Sequence, residues 1–271
     1  MSAYAAELAV AQEACLAAGA IIRGHYQKGT IEATRKLDDS PVTGADLEAN
    51  DRILGLLAAR FPGDAILSEE TADDPSRLER ARVWIVDPLD GTRDFVARTG
   101  DFAVHVALAV DGRAVVGAVY KPVDDALYWA VAGHGAHRRD ARGSRVLRVS
   151  GCDQLAGARV GVSRLAGGGS LARFLADTGL AAHALQVGAS IKMMMLAEGS
   201  CDASVCLHGR EKTWDTCAPA IIVTEAGGRV TDLDGAPFLY DQASVLHERG
   251  ILMTKGYLHD RVDAQARPYL E

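Results

Sequence analysis

The segment that most constrains this chain is W-I-V-D-P-L-D-G-T-R-D at residues 84–94. It begins as an apolar strand and is broken by Pro88 and Gly91. Two carboxylates, Asp87 and Asp90, lie three positions apart across this break. Because the proline fixes the turn, the pattern predicts that the oxygens of both side chains converge.

The same motif offers further hard oxygen ligands. The Leu89 carbonyl and the Thr92 hydroxyl fall in the same small volume, and no cysteine or histidine occurs in the motif. Oxygen-only donor sets suit Mg²⁺ or Mn²⁺ better than Zn²⁺ or copper. The motif therefore predicts a Mg²⁺ site, with Mn²⁺ as an alternative.

Length, charge and cysteine usage bound the class of protein. The 271 residues, 48% hydrophobic and 24% charged, are typical of a soluble globule with a buried core. The net charge of −7 disfavours the basic surface that binds a nucleic acid polymer. The start lacks a basic leader and apolar runs such as residues 103–110 are too short to cross a bilayer, so we expect no membrane partner and a cytoplasmic location. Five cysteines without a C-x-x-C pair indicate reduced thiols.

The first half of the chain has α+β texture. Helical periodicity predicts one helix from residue 2 to near Gly24 and a second over residues 47–61. Residues 104–110 and 114–120 alternate around Asp111-Gly112, which predicts an antiparallel hairpin with a tight primed turn.

The second half alternates between strands and helices, which is typical of α/β structure. It contains a predicted strand near residues 160–162 and predicted helices near residues 171–176 and 190–198. The loop-like stretch before them places the boundary near residue 148, so we predict an N-terminal half over residues 1–148 and a C-terminal half over 149–271.

Several acids outside the first motif stand where a metal phosphatase would need them. Thr43 and Asp46 open a helix, residues 64–70 read D-A-I-L-S-E-E, and Asp215 precedes a helical run over residues 216–226. Each also has a structural explanation, as a surface pair or a helix cap. If these acids meet in one pocket, their repulsion raises their pKa values unless divalent cations neutralise them.

The chain resembles the inositol monophosphatase superfamily through S-E-E at residues 68–70, D-P-L-D-G-T at 87–92, W-D-T-C-A-P at 214–219 and E-A-G-G at 225–228. The resemblance implies a layered αβαβα sandwich, mixing α+β and α/β texture, of the inositol monophosphatase and fructose-bisphosphatase type. K-L-D-D-S-P-V-T-G-A-D at 36–46 and the R-D-F sequence after the Asp-Gly-Thr are most similar to the 3′(2′),5′-bisphosphate nucleotidase branch, the CysQ type.

The resemblance also implies a role for each residue of the site. Asp46 and Thr92 help activate the attacking water, Lys36 and Asp38 order their region, and Gly91 and Thr92 offer backbone N–H groups to phosphate. Two or three Mg²⁺ ions are implied, the third held by Glu70 through water. The first ion would be held by the catalytic Glu69, Asp87 and the Leu89 carbonyl, and the second by Asp87, Asp90 and Asp215.

The activity implied by the branch is Mg²⁺-dependent, lithium-sensitive hydrolysis of adenosine 3′,5′-bisphosphate to AMP and phosphate, without a phosphoenzyme. Its sulfated relative, 3′-phosphoadenylyl sulfate, is a second candidate substrate. The partners expected are therefore a small phosphomonoester and, at most, a second copy of the chain, as a monomer or homodimer. A haloacid-dehalogenase mechanism is disfavoured because the two acids of the motif are separated by two residues rather than one.

Substrate contacts are expected from the C-terminal half as well as from Asp90 and Asp215. Ser163, Arg164, Ser190 and Lys192 are the candidates, although ordinary surface charge is the slightly favoured explanation for Arg164 or Lys192 taken alone. His208 stands seven residues before Asp215, where animal inositol monophosphatases carry a sugar-binding glutamate, and this counts against inositol phosphate.

Other assignments stay open at this point. An inositol, sugar or histidinol-phosphate phosphatase of the same fold is the main alternative, and a non-catalytic binding protein is disfavoured because the acids are all present. We predict that His134 and His137 are exposed loop histidines and that Met193 to Met195 belong to a helix core.

Overall fold

The computed structural model describes residues 3–28, 31–36, 40–151, 153–164 and 169–270. Within these ranges the chain forms seven α-helices and fourteen β-strands. The helices are α1 (Ala5–Gln27), α2 (Gly44–Arg60), α3 (Thr92–Val96), α4 (Gly169–Asp177), α5 (Ile191–Ala197), α6 (Thr213–Glu225) and α7 (His259–Ala266). The strands are β1 (Ala33–Arg35), β2 (Pro41–Thr43), β3 (Ala65–Ser68), β4 (Arg82–Asp90), β5 (Ala103–Val110), β6 (Arg113–Lys121), β7 (Ala126–Val131), β8 (Ala136–Asp140), β9 (Gly143–Val146), β10 (Val160–Ser163), β11 (Ala184–Val187), β12 (Ala203–Cys206), β13 (Arg229–Thr231) and β14 (Ile251–Thr254).

These elements stack in five layers. Helices α1 and α2 cover one face of a seven-stranded sheet, and α5 and α6 cover its other face. The same two helices pack on a five-stranded sheet, whose far side is covered by α4 and α7. The predicted αβαβα sandwich is therefore confirmed.

The seven-stranded sheet runs in the order β3-β4-β5-β6-β7-β8-β9 and is antiparallel except for the parallel pair β3 and β4. The predicted hairpin is its centre, where Asp111 (φ 48°) and Gly112 (φ 72°) both adopt the left-handed backbone that a primed turn requires. Residues of β5 that point to opposite faces enter different cores, because both faces of the sheet are covered. Val104, Val106 and Leu108 face α1 and α2, whereas Ala103, Ala107 and Ala109 face the α6 side.

The five-stranded sheet has the order β11-β10-β12-β14-β13, with β10 parallel to both neighbours and β14 antiparallel to both of its own. It lies C-terminal to Val146, the last residue of the other sheet. Helix α6 packs on both sheets, so the two halves share one buried core. The division at residue 148 stays a prediction.

Helix α1 corrects two expectations. It ends at Gln27 rather than near Gly24, because a glycine is tolerated inside a helix and nothing crowds this one. By length and hydropathy it could cross a membrane, which contradicts the expectation that every apolar run is too short. Its apolar face instead packs in the core around Ala11, Cys15 and Ile22, as in the core helix of a soluble fold. The cytoplasmic location remains a prediction.

Smaller corrections concern the ends of elements. Asp215 lies inside the first turn of α6, which begins three residues earlier than predicted from the sequence. His137 is half-buried in β8 and stacks on Trp129, whereas His134 is exposed as predicted. Met193 and Met194 are buried in the core, as predicted, and Met195 is half-buried against it.

Candidate active site

Three carboxylates from distant parts of the chain meet at the edge of the seven-stranded sheet. Oxygens of Asp87, Asp90 and Asp215 all lie within 4.8 Å of one another. Asp87 is 1% exposed, so the group is largely removed from water. This is the geometry of a divalent cation site.

A β-bulge brings the first two of these acids together. Strand β4 continues through Pro88 to Asp90, but its register against β5 shifts between Asp87 and Asp90. The Leu89 N–H donates to Asp87 Oδ1 over 3.0 Å and fixes that carboxylate. The predicted break in the strand is thus a bulge, which turns both side chains toward one side.

Gly91 is required where β4 turns into α3. Its φ is +87°, in the left-handed region, and it caps the helix that begins at Thr92. A Cβ here would lie 2.8 Å from the Ala189 Cβ and 2.8 Å from the Asp101 carbonyl oxygen. Glycine therefore allows the turn both by conformation and by space.

Asp215 reaches the site from the other half of the molecule. It is the third residue of α6, and its Oδ2 accepts the Lys212 N–H over 2.6 Å. The Asp215 side chain therefore both caps α6 and contributes to the acidic site. A carboxylate oxygen of Asp215 lies within 4.8 Å of oxygens of Asp87 and Asp90 in β4.

Glu69 and Glu70 follow β3 and contact Lys36, which was predicted to order this region. Lys36 Nζ donates to Glu69 Oε1 over 2.9 Å and to Glu70 Oε1 over 2.5 Å. Glu69 lines the cavity that contains Asp87 and Asp90. Asp38, the other residue predicted to order this region, lies outside the described residues.

Thr92 and Asp46 form the pair that the resemblance implied. Thr92 Oγ1 donates to Asp46 Oδ1 over 2.9 Å, and the Leu89 carbonyl lies 3.2 Å from the same hydroxyl. The other Asp46 oxygen accepts the Thr43 N–H over 2.8 Å and the Thr43 hydroxyl. Thr43 and Asp46 also form a capping box for α2, so the helix cap and the site share these residues.

The acids are electrostatically strained without a cation. Burial, and then the charges of Glu69, Asp90 and Asp215, raise the pKa of Asp87 well above its usual range. Burial, followed by Glu211, Asp90 and Glu69, does the same to the pKa of Asp215. Burial raises the pKa of Glu70 to about 7, although Lys36 opposes the shift. A bound divalent cation would remove this repulsion.

The comparisons with known proteins agree with this geometry. A model of the inositol monophosphatase family matches residues 4–267. The chain belongs to this family. A 3′-phosphoadenosine 5′-phosphate phosphatase of Mycobacterium leprae is 37% identical over 251 residues, covering 88% of this chain and 87% of the relative. A histidinol-phosphatase of Mycobacterium tuberculosis is 34% identical over 231 residues, covering 84% and 85%.

A solved structure supports the fold independently. CysQ from Bacteroides thetaiotaomicron, described as a bacterial member of the inositol monophosphatase family, superposes with a TM-score of 0.80 and 28% identity. The match covers 93% of this chain and 98% of that one. The predicted superfamily and its CysQ-type branch are confirmed as this chain's relatives.

The cavity has a volume of about 260 Å³ and is lined by residues from segments 40–94 and 163–215 of the chain. Its wall combines the acids described above with cationic and small polar side chains. The cationic residues in the wall are Arg93, Lys192, Arg210 and Lys212. Among the predicted substrate contacts, Ser163, Ser190 and Lys192 line this cavity.

Arg164 and Ser190 have protein partners. The Arg164 guanidinium contacts Asp94 Oδ1 at 3.1 Å and Asp101 Oδ2 at 2.5 Å. Ser190 donates its N–H to Asp90 Oδ2 over 2.7 Å and its hydroxyl to His105 Nε2 over 2.6 Å. These contacts position the walls of the cavity, and substrate contact by either residue stays a prediction.

His105 is a site residue that the sequence analysis missed. It lies fully buried in β5, with Nδ1 3.2 Å from the Trp214 carbonyl oxygen, which can only accept. Nδ1 therefore carries the proton, and Nε2 accepts from Ser190. Burial lowers the pKa of His105, so a neutral imidazole links β5 to the start of α5. A single histidine in an alternating strand gave no sequence signal that it would contact the site.

Glu211 is the second missed residue. It lines the cavity together with Asp215. Burial acts to raise the pKa of Glu211, but the Lys192 charge, followed by the interaction with Asp215, outweighs it and lowers the pKa. Glu211 lies four residues before Asp215, and no sequence motif marks this position.

Proposed function

We propose that the chain is a Mg²⁺-dependent 3′(2′),5′-bisphosphate nucleotidase that hydrolyses adenosine 3′,5′-bisphosphate to AMP and phosphate. The observation that carries the proposal is one cavity lined both by the convergent acids and by four cationic side chains. The acids suit metal-assisted attack on one phosphate, and the cations suit a second phosphate on the same substrate.

The donor set fits Mg²⁺. The proposed ligands are all oxygens, and the raised pKa values of Asp87 and Asp215 indicate that the buried carboxylates need a compensating positive charge. Glu69, Asp87 and the Leu89 carbonyl would hold one ion, and Asp87, Asp90 and Asp215 a second. Glu70, bonded to Lys36, would reach a third ion only through water. Bound Mg²⁺ would supply positive charge to activate water and to stabilise the leaving oxygen, and Mn²⁺ is an alternative.

Thr92 and Asp46 would orient the attacking water. Since Thr92 donates its proton to Asp46, the lone pairs of its hydroxyl are directed outward and can accept a hydrogen bond from water. Burial raises the pKa of Asp46, which makes this carboxylate a better proton acceptor than an exposed aspartate. The Gly91 and Thr92 N–H groups at the start of α3 are the proposed phosphate donors.

The cationic wall supports a bisphosphate over a monophosphate. Arg93 and Arg210 are exposed at the cavity rim, and Lys192 lies inside it at 4% exposure. A substrate with a single phosphate would contact fewer of these cationic side chains. The printed name of the 37% identical relative, a 3′-phosphoadenosine 5′-phosphate phosphatase, supports the same substrate class. 3′-Phosphoadenylyl sulfate has a similar charge distribution and is the proposed second substrate.

A histidinol-phosphate phosphatase is the second candidate function. Glu211 on the cavity wall offers a carboxylate to the amine of such a substrate, and the 34% identical relative carries that name. Inositol phosphate offers neither a second phosphate nor an amine to these groups.

The test is phosphate release from purified enzyme with four substrates at matched Mg²⁺ concentrations: adenosine 3′,5′-bisphosphate, 3′-phosphoadenylyl sulfate, histidinol phosphate and inositol 1-phosphate. The proposal predicts that kcat/KM for the bisphosphate exceeds that for inositol 1-phosphate and histidinol phosphate at least about tenfold, roughly 1.4 kcal/mol. A ratio near one, or reversed toward histidinol phosphate, would replace the nucleotidase assignment.

A further inference from the structure

A second group of metal-binding side chains lies beside the acidic site. Between β12 and α6 the chain folds so that Cys206, His208 and Glu211 bring one ligand atom each within 4.8 Å of one another. Cys206 is 7% exposed, and the other two are half-buried. A thiol, an imidazole and a carboxylate form a donor set unlike the all-oxygen set of the catalytic site.

The spacing of these atoms fits a tetrahedral metal. Cys206 Sγ is 3.5 Å from a His208 ring nitrogen and 3.7 Å from Glu211 Oε1. With Zn–S of about 2.3 Å and Zn–N or Zn–O of about 2.0–2.2 Å, a tetrahedral angle separates sulfur from either atom by roughly 3.5–3.7 Å. The distances from sulfur match this spacing, with both His208 ring nitrogens at 3.5 Å, and the three ligand atoms lie within 4.8 Å of one another.

We propose that Cys206, His208 and Glu211 bind Zn²⁺, separately from the Mg²⁺ site. Sulfur and imidazole ligands favour Zn²⁺ over Mg²⁺, so the two cations are sorted by donor chemistry. On binding, the Cys206 thiol releases its proton to solvent as the sulfur–zinc bond forms. The fourth position is left for water or another exogenous ligand.

The site is connected to catalysis through Glu211. This residue lines the same cavity as Asp215 and Lys192. Zinc bound at the site holds the Glu211 carboxylate and adds positive charge to this wall of the cavity. Zinc therefore lowers turnover at concentrations too low to displace Mg²⁺ from the oxygen ligands.

A hydrogen-bonded thiol without metal is the competing explanation, since Cys206 Sγ also lies 3.5 Å from the His208 carbonyl oxygen. The absorption spectrum of bound Co²⁺ distinguishes a metal site from a hydrogen-bonded thiol. A thiolate ligand gives a near-ultraviolet charge-transfer band that oxygen ligands do not give. The full-length protein is titrated with Co²⁺ at saturating Mg²⁺, with circular dichroism to verify folding. Cys206→Ser and His208→Asn are the test variants, and Cys201→Ser, at a buried thiol that donates to the Lys192 carbonyl, is the matched control.

The proposal predicts a thiolate band in the wild type and in Cys201→Ser, its loss in Cys206→Ser, and weaker Co²⁺ binding by at least about tenfold in His208→Asn. Zn²⁺, but not Mg²⁺, should displace the band. No band in the wild type, or an unchanged band in folded Cys206→Ser, would overturn the site. Zinc inhibition should require at least about tenfold more Zn²⁺ in Cys206→Ser, and equal inhibition would refute the connection to catalysis.

Discussion

The Thr92 hydroxyl lies 2.9 Å from Asp46 Oδ1 and joins the start of α3 to the start of α2. Asp46 is 1% exposed and its second oxygen is held by Thr43, so the carboxylate has little freedom to turn away. The hydroxyl is therefore presented to the cavity in one orientation. We infer that this contact serves catalysis more than stability, because the capping box of α2 is complete without Thr92.

Replacing Thr92 by valine tests that inference. Thr92→Val keeps the shape but removes the hydroxyl, so kcat should fall by about 10²–10⁴, the usual contribution of positioned proton transfer. KM should change little if the phosphate is held by other groups. Steady-state phosphate release measures both constants. Thr178→Val, which removes a hydroxyl bonded to the Phe174 carbonyl, is the control and should retain wild-type kcat.

Replacing Gly91 by alanine should destabilise the fold. The variant combines left-handed strain with a Cβ placed 2.8 Å from two atoms, so the free energy of unfolding should fall by about 2–4 kcal/mol. Gly133→Ala has a similar φ of +75° but open space around it, and should lose only about 1 kcal/mol. Urea unfolding of both variants measures the difference. Equal losses would mean that the close approach of residues 101 and 189 does not matter.

The metal-free protein should lose stability as pH rises. The folded state keeps protons on carboxyl groups with raised pKa values, of which Glu70 is at about 7 and Asp87 and Asp215 are well above normal. The unfolded chain releases those protons at its ordinary values, so the free energy of unfolding decreases from there upward through the folded pKa values. His247 and His259, with pKa values lowered to about 4 by burial, act in the opposite direction only below about pH 6.5.

The clean window for this effect is therefore about pH 6.5–8, where one proton corresponds to about 1.4 kcal/mol per pH unit. Urea unfolding in chelator should reveal a fall on the order of 1–2 kcal/mol across the window. Saturating Mg²⁺ should remove most of the slope, because the cation replaces the protons. A metal-free protein that grows more stable from pH 6.5 to 8 would contradict the burial of these acids.

Arg210 should act on the second phosphate. Arg210→Gln removes one exposed cation from the cavity wall, so kcat/KM for adenosine 3′,5′-bisphosphate should fall about tenfold, roughly 1.4 kcal/mol. Hydrolysis of 3′-AMP, which lacks the second phosphate, should stay within about twofold of wild type. Arg142→Gln, at an exposed arginine outside the cavity, is the control. An equal loss with both substrates would place Arg210 at the scissile phosphate instead.

The sequence predicted the parts of the fold that local patterns encode. The β5–β6 hairpin followed from alternation and Asp-Gly, and the layered sandwich followed from the resemblance. The end of α1 was misplaced because Gly24 lies in the helix without a left-handed turn, and the sequence does not distinguish these conformations.

The site was predictable only where its residues belong to motifs. Asp87, Asp90 and Asp215 were grouped because two separate motifs carried them, D-P-L-D-G-T and W-D-T-C-A-P. Tertiary packing brings Glu211 to the cavity wall and brings the buried His105 of β5 into contact with Ser190, which lines the cavity. No spacing within either segment encodes that approach.

The central claim is that the clustered acids work only with a divalent cation, and chelation followed by metal addition tests it most directly. Hydrolysis of adenosine 3′,5′-bisphosphate should disappear in excess chelator and return on titration with Mg²⁺. Asp90→Asn, which keeps the shape but removes one charge, should lower kcat by at least about 10² without unfolding the protein. Asp51→Asn, at an exposed position of α2, should leave kcat unchanged. Full turnover after exhaustive chelation, or wild-type turnover by Asp90→Asn, would contradict the account.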